Sequence, residues 1–473
     1  MRKFVIEDNS LISPFNEPAR DLSILNRPLK MHHDEVIDSA IQQINEGLRK
    51  RKQPEIGPAR AELPLEGIGD LAARVKGDPD DEIVVYRDNL YFDEEFFHEF
   101  FFRSRHRKVP SRAVLPASDL AWRKYAVPLS RLEPVRDSAT GQPLYYPLDL
   151  WYFPPGHTDY KQCYEVPIES EAKEVGYYNV PDSMSNLRPG GAQSERDMDL
   201  THLLTLRSCL SIDSWAHVYF ANIILGVFSR GRRFEKQIEE HNLEALRMIW
   251  RAIMEQKQVL SCSKAVQVGE GTVINPSAII SGPTTIGRNC YIGPGVVIDN
   301  SIIGDNVSID QGCQLMLSVV GNNCFLPFRA ALFLTTLMEY TIVAQNTCLQ
   351  MCVVGRNSFV GAGNTFTDFN LVPAPLRTLS HDGSFRDTGQ PVLGGCVGHN
   401  SRLGSGLVVM PGRIIESDVV LFASPTRRVV NRNISYEESD HFKLRASIAK
   451  LHKRRYPRFI ESEQDLLLSW DDE

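Results

Sequence analysis

From Val268 onward an aliphatic residue recurs every six positions: Val268, Ile274, Ile280, Ile286, Ile292 and Ile298. After one five-residue step the series continues at Ile303, Ile309 and Leu315, and after another at Val320, Leu326 and Leu332. It blurs between Phe333 and Val353, returns at Val354, Val360 and Phe366, and resumes after a break at Val397, Leu403, Val409, Ile415 and Leu421. Small or β-branched residues hold a second inward position, among them Thr272, Ala278, Thr284, Cys290, Val296, Val307, Cys313, Cys324, Ser358 and Ser401. One large and one small inward residue per hexad describe a flat-sided coil, in which three hexads close a triangular turn of about 18 residues and stacked turns bury one continuous core. The expectation is a left-handed parallel β-helix of roughly six coils over residues 263–434. A β-sandwich would instead alternate with period two between turns 8–12 residues apart.

Gly or Asp often follows the large aliphatic residue (Gly269, Gly287, Gly293, Gly304, Asp310), which predicts turns with unusual backbone angles at those positions. Cys290, Cys313 and Cys324 fall on the small inward position and read as packed core thiols. Cys348 and Cys352 lie where the register blurs, and no site is drawn from them. Residues 371–392 break the hexad with prolines, glycines and charges, marking a loop extruded from the coil, the kind of segment that often carries function.

Upstream, Arg232 to Leu260 has Phe234, Ile238, Leu243, Leu246, Ile249, Trp250 and Ile253 at helical spacing, predicting a linking helix within 231–262. Downstream, 435–473 reads as a helical tail whose run Lys450-Leu-His-Lys-Arg-Arg455 forms a solvated face. Residues 1–230 alternate strand-like runs (Lys3–Glu7, Glu82–Arg87) with helix-like ones (His33–Lys50, Asp93–Arg105), which predicts an α/β domain on a parallel or mixed sheet.

Composition narrows the partners. Lys plus Arg number 52 against 59 Asp plus Glu, a net charge of −7 that lacks the broad basic footprint of a nucleic-acid binder. No apolar run approaches the roughly 18 residues of a membrane span, and the first residues turn acidic too early for a signal peptide, so a cytoplasmic location is expected. The nine cysteines include no CxxC pair and no zinc-type spacing.

Three further segments carry a resemblance. Gly361-Ala-Gly-Asn-Thr-Phe-Thr-Asp-Phe-Asn370 is similar to a "GAGT-aliphatic-T-x-N" turn, followed by Thr388-Gly389, Val397-Gly398 and Met410-Pro411-Gly412. Pro18, Leu22, Asn26, Pro28 and Leu29 keep the spacing of a "PKxLLPVxNKPL" element. Asp81 to Asp93 looks like the strand ending in a "GD" pair, and Trp215 with Ala221-Asn222 like a late "W…AN" segment. With an α/β domain preceding the β-helix, the chain resembles the sugar-1-phosphate nucleotidyltransferases, or NDP-sugar pyrophosphorylases. The resemblance implies joining of a nucleoside triphosphate to a sugar phosphate, with Mg²⁺ as cofactor and a homo-oligomeric dimer or trimer. It places Asp88 on the metal with Asp213 as a nearby second carboxylate, and Arg20 or Lys30 on phosphate.

The glycine-rich loop that opens such proteins, where backbone N–H groups hold phosphates, corresponds here to Ile6-Glu-Asp-Asn-Ser-Leu-Ile-Ser-Pro14, with no glycine and two carboxylates. The lysine of the "PK" element falls at Ala19, with Arg20 adjacent. Phosphoryl transfer works through positioning and charge neutralisation, so the site is either rebuilt or silent. Three readings therefore stand: a nucleotidyltransferase; a non-catalytic subunit that binds a sugar nucleotide; and a β-helix acyltransferase using acyl-CoA, with His381 of the extruded loop as general base and His399 following in a turn.

Overall fold

The computed structural model describes residues 1–75, 81–178, 200–240, 250–251, 253–254, 265–370 and 375–458. Its first part is built on a mixed sheet of strands β1 (Arg2–Ile6), β2 (Arg60–Ala61), β3 (Ile83–Arg87), β4 (Ser111–Pro116), β5 (Pro143–Phe153) and β6 (Tyr164–Pro167), in the order β6-β4-β5-β3-β1-β2, with the short Val135–Arg136 strand on β5. β1 runs parallel to β2 and β3, whereas β5 runs antiparallel to both β3 and β4. Alternate residues serve opposite faces. Phe4, Ile6, Ile83, Val85, Trp151 and Phe153 pack with Leu65 and Leu71, while Val84, Tyr86, Leu148, Leu150 and Tyr152 join the larger core under the helices α1 (Leu29–Lys50) and α2 (Glu94–Arg107). α1 begins four residues before the expected His33, immediately after Pro28, because Leu29 is itself fully buried. α2 starts where expected; the Asp93 carboxylate caps it by accepting the Phe96 N–H at 2.9 Å.

The coil is a left-handed β-helix with three parallel faces of eight strands each, two coils more than the hexad count suggests. The difference lies in the stretch where the sequence blurs. There Leu337, Val343 and Leu349 are buried in register, with Leu337 pairing onto Val320 and Val354. From Ile286 to Val354 each coil repeats after 17 residues, Ile286 opposite Ile303 and Ile303 opposite Val320, through the five-residue steps. Phe333, Leu334 and Met338 surround this stretch with further apolar residues and erase the contrast that a periodicity needs.

The glycines after the aliphatic positions have ordinary φ values. They are required by stacking instead, since a Cβ on Gly269 would lie 2.6 Å from the Gly287 backbone. The left-handed angles fall two residues later, on Asn289, Asn306, Asn323, Asn357 and Asn400, with φ between 54° and 59°. The small inward residues bond upward to the next coil: Thr272 Oγ1 donates to the Gly287 carbonyl at 2.7 Å, Cys290 Sγ to Gly304 at 3.0 Å, Cys324 Sγ to Met338 at 3.2 Å, and Thr341 Oγ1 to Gly355 at 3.0 Å. The cysteines are core thiols; burial pushes Cys324 up to about 12.

One edge of the coil faces the α/β domain. Its corner residues Leu317, Leu334 and Met351 have φ of 49°, 48° and 51°, an unfavourable backbone for large side chains, yet all three are buried in that domain's core. Burial outweighs strain here. Leu334→Gly would relieve roughly 1 kcal/mol of left-handed strain but forfeit roughly 2–5 kcal/mol of packing. A net loss of about 2 kcal/mol is expected in urea unfolding of the full chain, and an unchanged midpoint would contradict this account.

The predicted linking helix is seen as Ser229–Glu240, and most of its continuation to Leu260 lies outside the described residues. The tail forms single turns (Tyr436–Glu438, Asp440–Lys443, Ala446–Ala449) rather than one helix up to residue 458, and 459–473 lie outside the described residues. Its basic run is not wholly solvated: the Arg455 and Tyr456 N–H groups donate to Asp418 Oδ2 at 2.9 Å. No helix among the described residues is long and apolar enough to cross a membrane.

Candidate functional site

Because β1 and β3 are parallel neighbours, their carboxyl ends emerge side by side, where an open α/β sheet places its ligands. Asp88 leaves β3 there, its N–H bonded to the Ile6 carbonyl at 3.1 Å. Asp88 Oδ1 accepts the Asp8 N–H at 2.9 Å, and Oδ2 accepts Arg20 Nη1 at 2.9 Å. Arg20 sits in the one-turn helix Ala19–Asp21 and also donates to the Asp8 carbonyl at 3.1 Å and to Asn9 Oδ1 at 2.7 Å. The segment standing in place of a glycine loop is thus held by side chains.

A second arginine closes the network. Arg131 donates through Nε to Asp213 Oδ1 at 2.7 Å and through its backbone N–H to Asp213 Oδ2 at 3.0 Å. It also pairs with the Asp8 carboxylate and reaches Ser10 Oγ at 3.2 Å. Asn89 Nδ2 adds a bond to Asp213 Oδ1 at 3.1 Å, and its buried Oδ1 has no partner among the described residues. Beside the pair lies a cavity of about 360 Å³ lined by Arg87, Asn89, Arg112, Arg131, Asp149 and Asp213. Burial pushes the Asp88 carboxyl above the usual range, outweighing the Asp8 amide and Arg20. For Asp8, burial is outweighed by the bonds from Ser10 and Arg131, which hold it low.

Of the residues expected from the sequence, Asp88 and Arg20 come together. Lys30 does not join them; it is largely exposed and pairs with Asp21 at 2.8 Å. Asp213 belongs to the network but faces Arg131 and Asn89, so it shares no point with Asp88. The oxygens a divalent cation needs accept N–H groups instead, and among the described residues no cluster of three or more His, Cys, Asp or Glu is placed to hold a metal. As arranged, Asp88 and Asp213 do not fit Mg²⁺. Arg131 and Asn89 were not foreseen; Asn89 adjoins a foreseen residue, whereas nothing in the sequence around Arg131 distinguishes it from a surface arginine. Asp8 entered only as one of the two carboxylates in the segment that stands in place of the glycine loop.

The motifs meet in space. Asn222 Oδ1 accepts the Leu25 N–H at 2.7 Å and Asn222 Nδ2 donates to the Ser23 carbonyl at 3.2 Å, pinning the two-residue hairpin turn Leu25-Asn26, both at positive φ. Asn26 Nδ2 donates in turn to the Val320 carbonyl of the coil at 2.9 Å.

The two histidines of the acyl-transfer reading lie in different parts of the fold. His381 sits between the strands Arg377–Leu379 and Phe385–Asp387 of the extruded loop, its ring beside Ser380 Oγ at 3.2 Å, and the loop folds onto the α/β domain. His399 is fully buried at the junction of the two parts; its Nδ1 accepts the Arg356 N–H at 2.9 Å and its Nε2 lies 3.2 Å from Glu17 Oε1. Burial lowers its pKa despite Glu17, so the ring is neutral and enclosed.

A family model described as bacterial transferase hexapeptide (six repeats) matches residues 265–300. The bifunctional protein GlmU of Heliobacterium modesticaldum is 30% identical over 213 residues, covering 41% of this chain and 45% of that protein. The chain is similar to the GlmU proteins. GlmU of Synechococcus elongatus is 27% identical over 180 residues, 37% of this chain and 38% of that protein. Among solved structures, Arabidopsis UDP-N-acetylglucosamine acyltransferase covers 34% of this chain and 57% of its own at 15% identity, with a TM-score of 0.25. The chain spans less than half the length of these GlmU relatives. The family-model match falls on the coil and agrees with the hexapeptide-repeat β-helix read from the sequence.

Proposed function

We propose that this chain is a sugar-1-phosphate nucleotidyltransferase-like enzyme working at the carboxyl ends of β1 and β3. In that reaction a phosphate oxygen of the sugar 1-phosphate attacks the α-phosphorus of a nucleoside triphosphate, the bond to the β-phosphate breaks, and pyrophosphate leaves. The observation that carries the reading is the network of Asp8, Asp88 and Asp213 with Arg20 and Arg131 beside a polar cavity, at the edge where such a sheet takes its ligands. Two guanidinium groups can neutralise phosphate oxygens, and the carboxylates hold those groups in place. Asp88 is the residue on which both the first arginine and the Asp8 segment depend. The GlmU relatives support the assignment.

The test is the reverse reaction. Purified full-length protein with Mg²⁺, pyrophosphate and a panel of NDP-sugars is expected to form nucleoside triphosphate, and the productive pair names base and sugar together. Parallel runs with EDTA read the metal dependence that the resemblance implies. Silence across the panel from folded protein would end the nucleotidyltransferase reading and move the weight to the sugar-nucleotide-binding subunit, whose sign is saturable NDP-sugar binding, with acyl-CoA the next substrate to try.

A further inference from the structure

We propose that the loop extruded from the coil positions the Arg131–Asp213 pair of the α/β domain, an inference that rests on the function proposed above for that site.

The loop is anchored in the coil and inserted in the domain. Thr378 Oγ1 donates to the Gly412 carbonyl of the coil at 3.0 Å, and Arg413 Nη2 donates to the Arg377 carbonyl at 3.2 Å. Leu376, Val392 and Leu393 are buried in the core of the α/β domain. Two contacts then reach the segments that carry the pair. The Trp215 indole N–H donates to Thr378 Oγ1 at 2.8 Å, and Trp215 stands two residues after Asp213; both side chains are fully buried. Gln390 Nε2 donates to the Lys124 carbonyl at 2.7 Å, and Gly389 lies so close to Pro128 that a Cβ there would sit 3.0 Å from the ring, three residues before Arg131.

The two segments are also tied to each other. His217 Nε2 donates to the Pro128 carbonyl at 2.8 Å, and His217 Nδ1 accepts the Asp213 N–H at 3.1 Å. Trp215 and Lys124–Pro128 are therefore gripped by one loop, and the arginine and the aspartate follow from them. The hydroxyl of Thr378 joins coil to domain in a single relay, Trp215 to Thr378 to Gly412. Thr378 and Gln390 are positioning residues: neither touches the Arg131 or Asp213 side chain, and each sets the backbone from which one of them extends.

The experiment uses the full chain with Thr378→Val, which keeps the shape and removes the hydroxyl, and Gln390→Ala, which removes the second contact without touching Trp215. Hydrogen exchange read by mass spectrometry follows the peptides containing Arg131 and Asp213, whose backbone N–H groups donate to Asp213 Oδ2 and His217 Nδ1. Exchange at these amides is expected to rise about tenfold in each variant, the loss of roughly one hydrogen bond, with Thr378→Ser restoring it. KM for pyrophosphate in the reverse reaction is expected to rise by a similar factor, again rescued by serine. Unchanged exchange at both amides in both variants would overturn the inference. A wild-type protein without turnover would instead count against the proposed function, and the exchange result would still decide the role of the loop.

Discussion

Asp88→Ala is expected to lower triphosphate formation from pyrophosphate and NDP-sugar by at least about 10²-fold, the scale on which removal of one preorganised charge-stabilising group acts. The side chain has two tasks: it accepts the Asp8 amide, which fixes the segment replacing a glycine loop, and it holds Arg20 at 2.9 Å. Without it Arg20 keeps the Asp8 carbonyl, Asn9 and the longer 3.9 Å pair with Asp21, and the Asp8 carboxylate is free to shift against Arg131. Asp88→Asn separates the tasks, since an amide oxygen still accepts the Asp8 N–H while the lost charge no longer holds the guanidinium. Initial rates for the two variants, with melting temperatures beside them, provide the check. A rate equal to wild type in folded Asp88→Ala protein would remove Asp88 from the mechanism.

The second large effect is on stability in acid. The buried histidines His33, His202, His217 and His399, and the half-buried His32, are held neutral. Burial lowers His32 to about 4 despite its bond to the Phe92 carbonyl, His33 to about 3 despite its bond to Leu90, and His202 to about 3; His217 and His399 are lowered for the same reason. Unfolding frees each ring to take a proton below its ordinary value of about 6.5, so the unfolded chain binds more protons and stability falls as pH drops from there towards the folded values. Each such histidine costs at most about 1.4 kcal/mol per pH unit in that window. Glu17, held low by His399 and Arg356 against its burial, adds to the loss below its own unfolded value, while Asp88 and Asp93, raised by burial, oppose it there. Against the roughly 5–15 kcal/mol of a typical domain, several such histidines are expected to remove a large share of the stability before about pH 4 is reached. Urea midpoints between pH 7 and 4.5 should decline with a slope of at least about two protons. His33→Gln should remove about one of them; a flat profile would mean that these imidazoles are hydrated and charged in the folded protein.

The site was partly legible in the chain. Asp88 could be found because it ends a short apolar strand, and Arg20 because it sits beside the expected motif lysine. Their partners could not. Asp8 bonds to Arg131 across 123 positions, and Arg131 to Asp213 across 82, with no shared period or motif. The same holds for the extruded loop: its prolines and glycines mark the break in the coil, but whether His381 faces an acyl-transfer surface or the α/β domain depends on where Leu376, Val392 and Leu393 find a core.

The coil itself is a product of local pattern. One large and one small inward residue per six can be buried only by stacking, and each coil repeats the instruction, so the β-helix follows from the sequence almost line by line. The alternation of apolar strand-like runs with helix-like runs in residues 1–230 likewise determines an α/β domain. What the tertiary structure alone decided is how the two halves engage. Leu317, Leu334 and Met351 occupy corners whose backbone disfavours them and read in sequence as noise in the hexad; they are stable there because the neighbouring domain buries them. The charge network at the strand ends was decided the same way, because pairing of buried groups depends on distances through space, and the energy of such pairs leaves no periodicity along the chain.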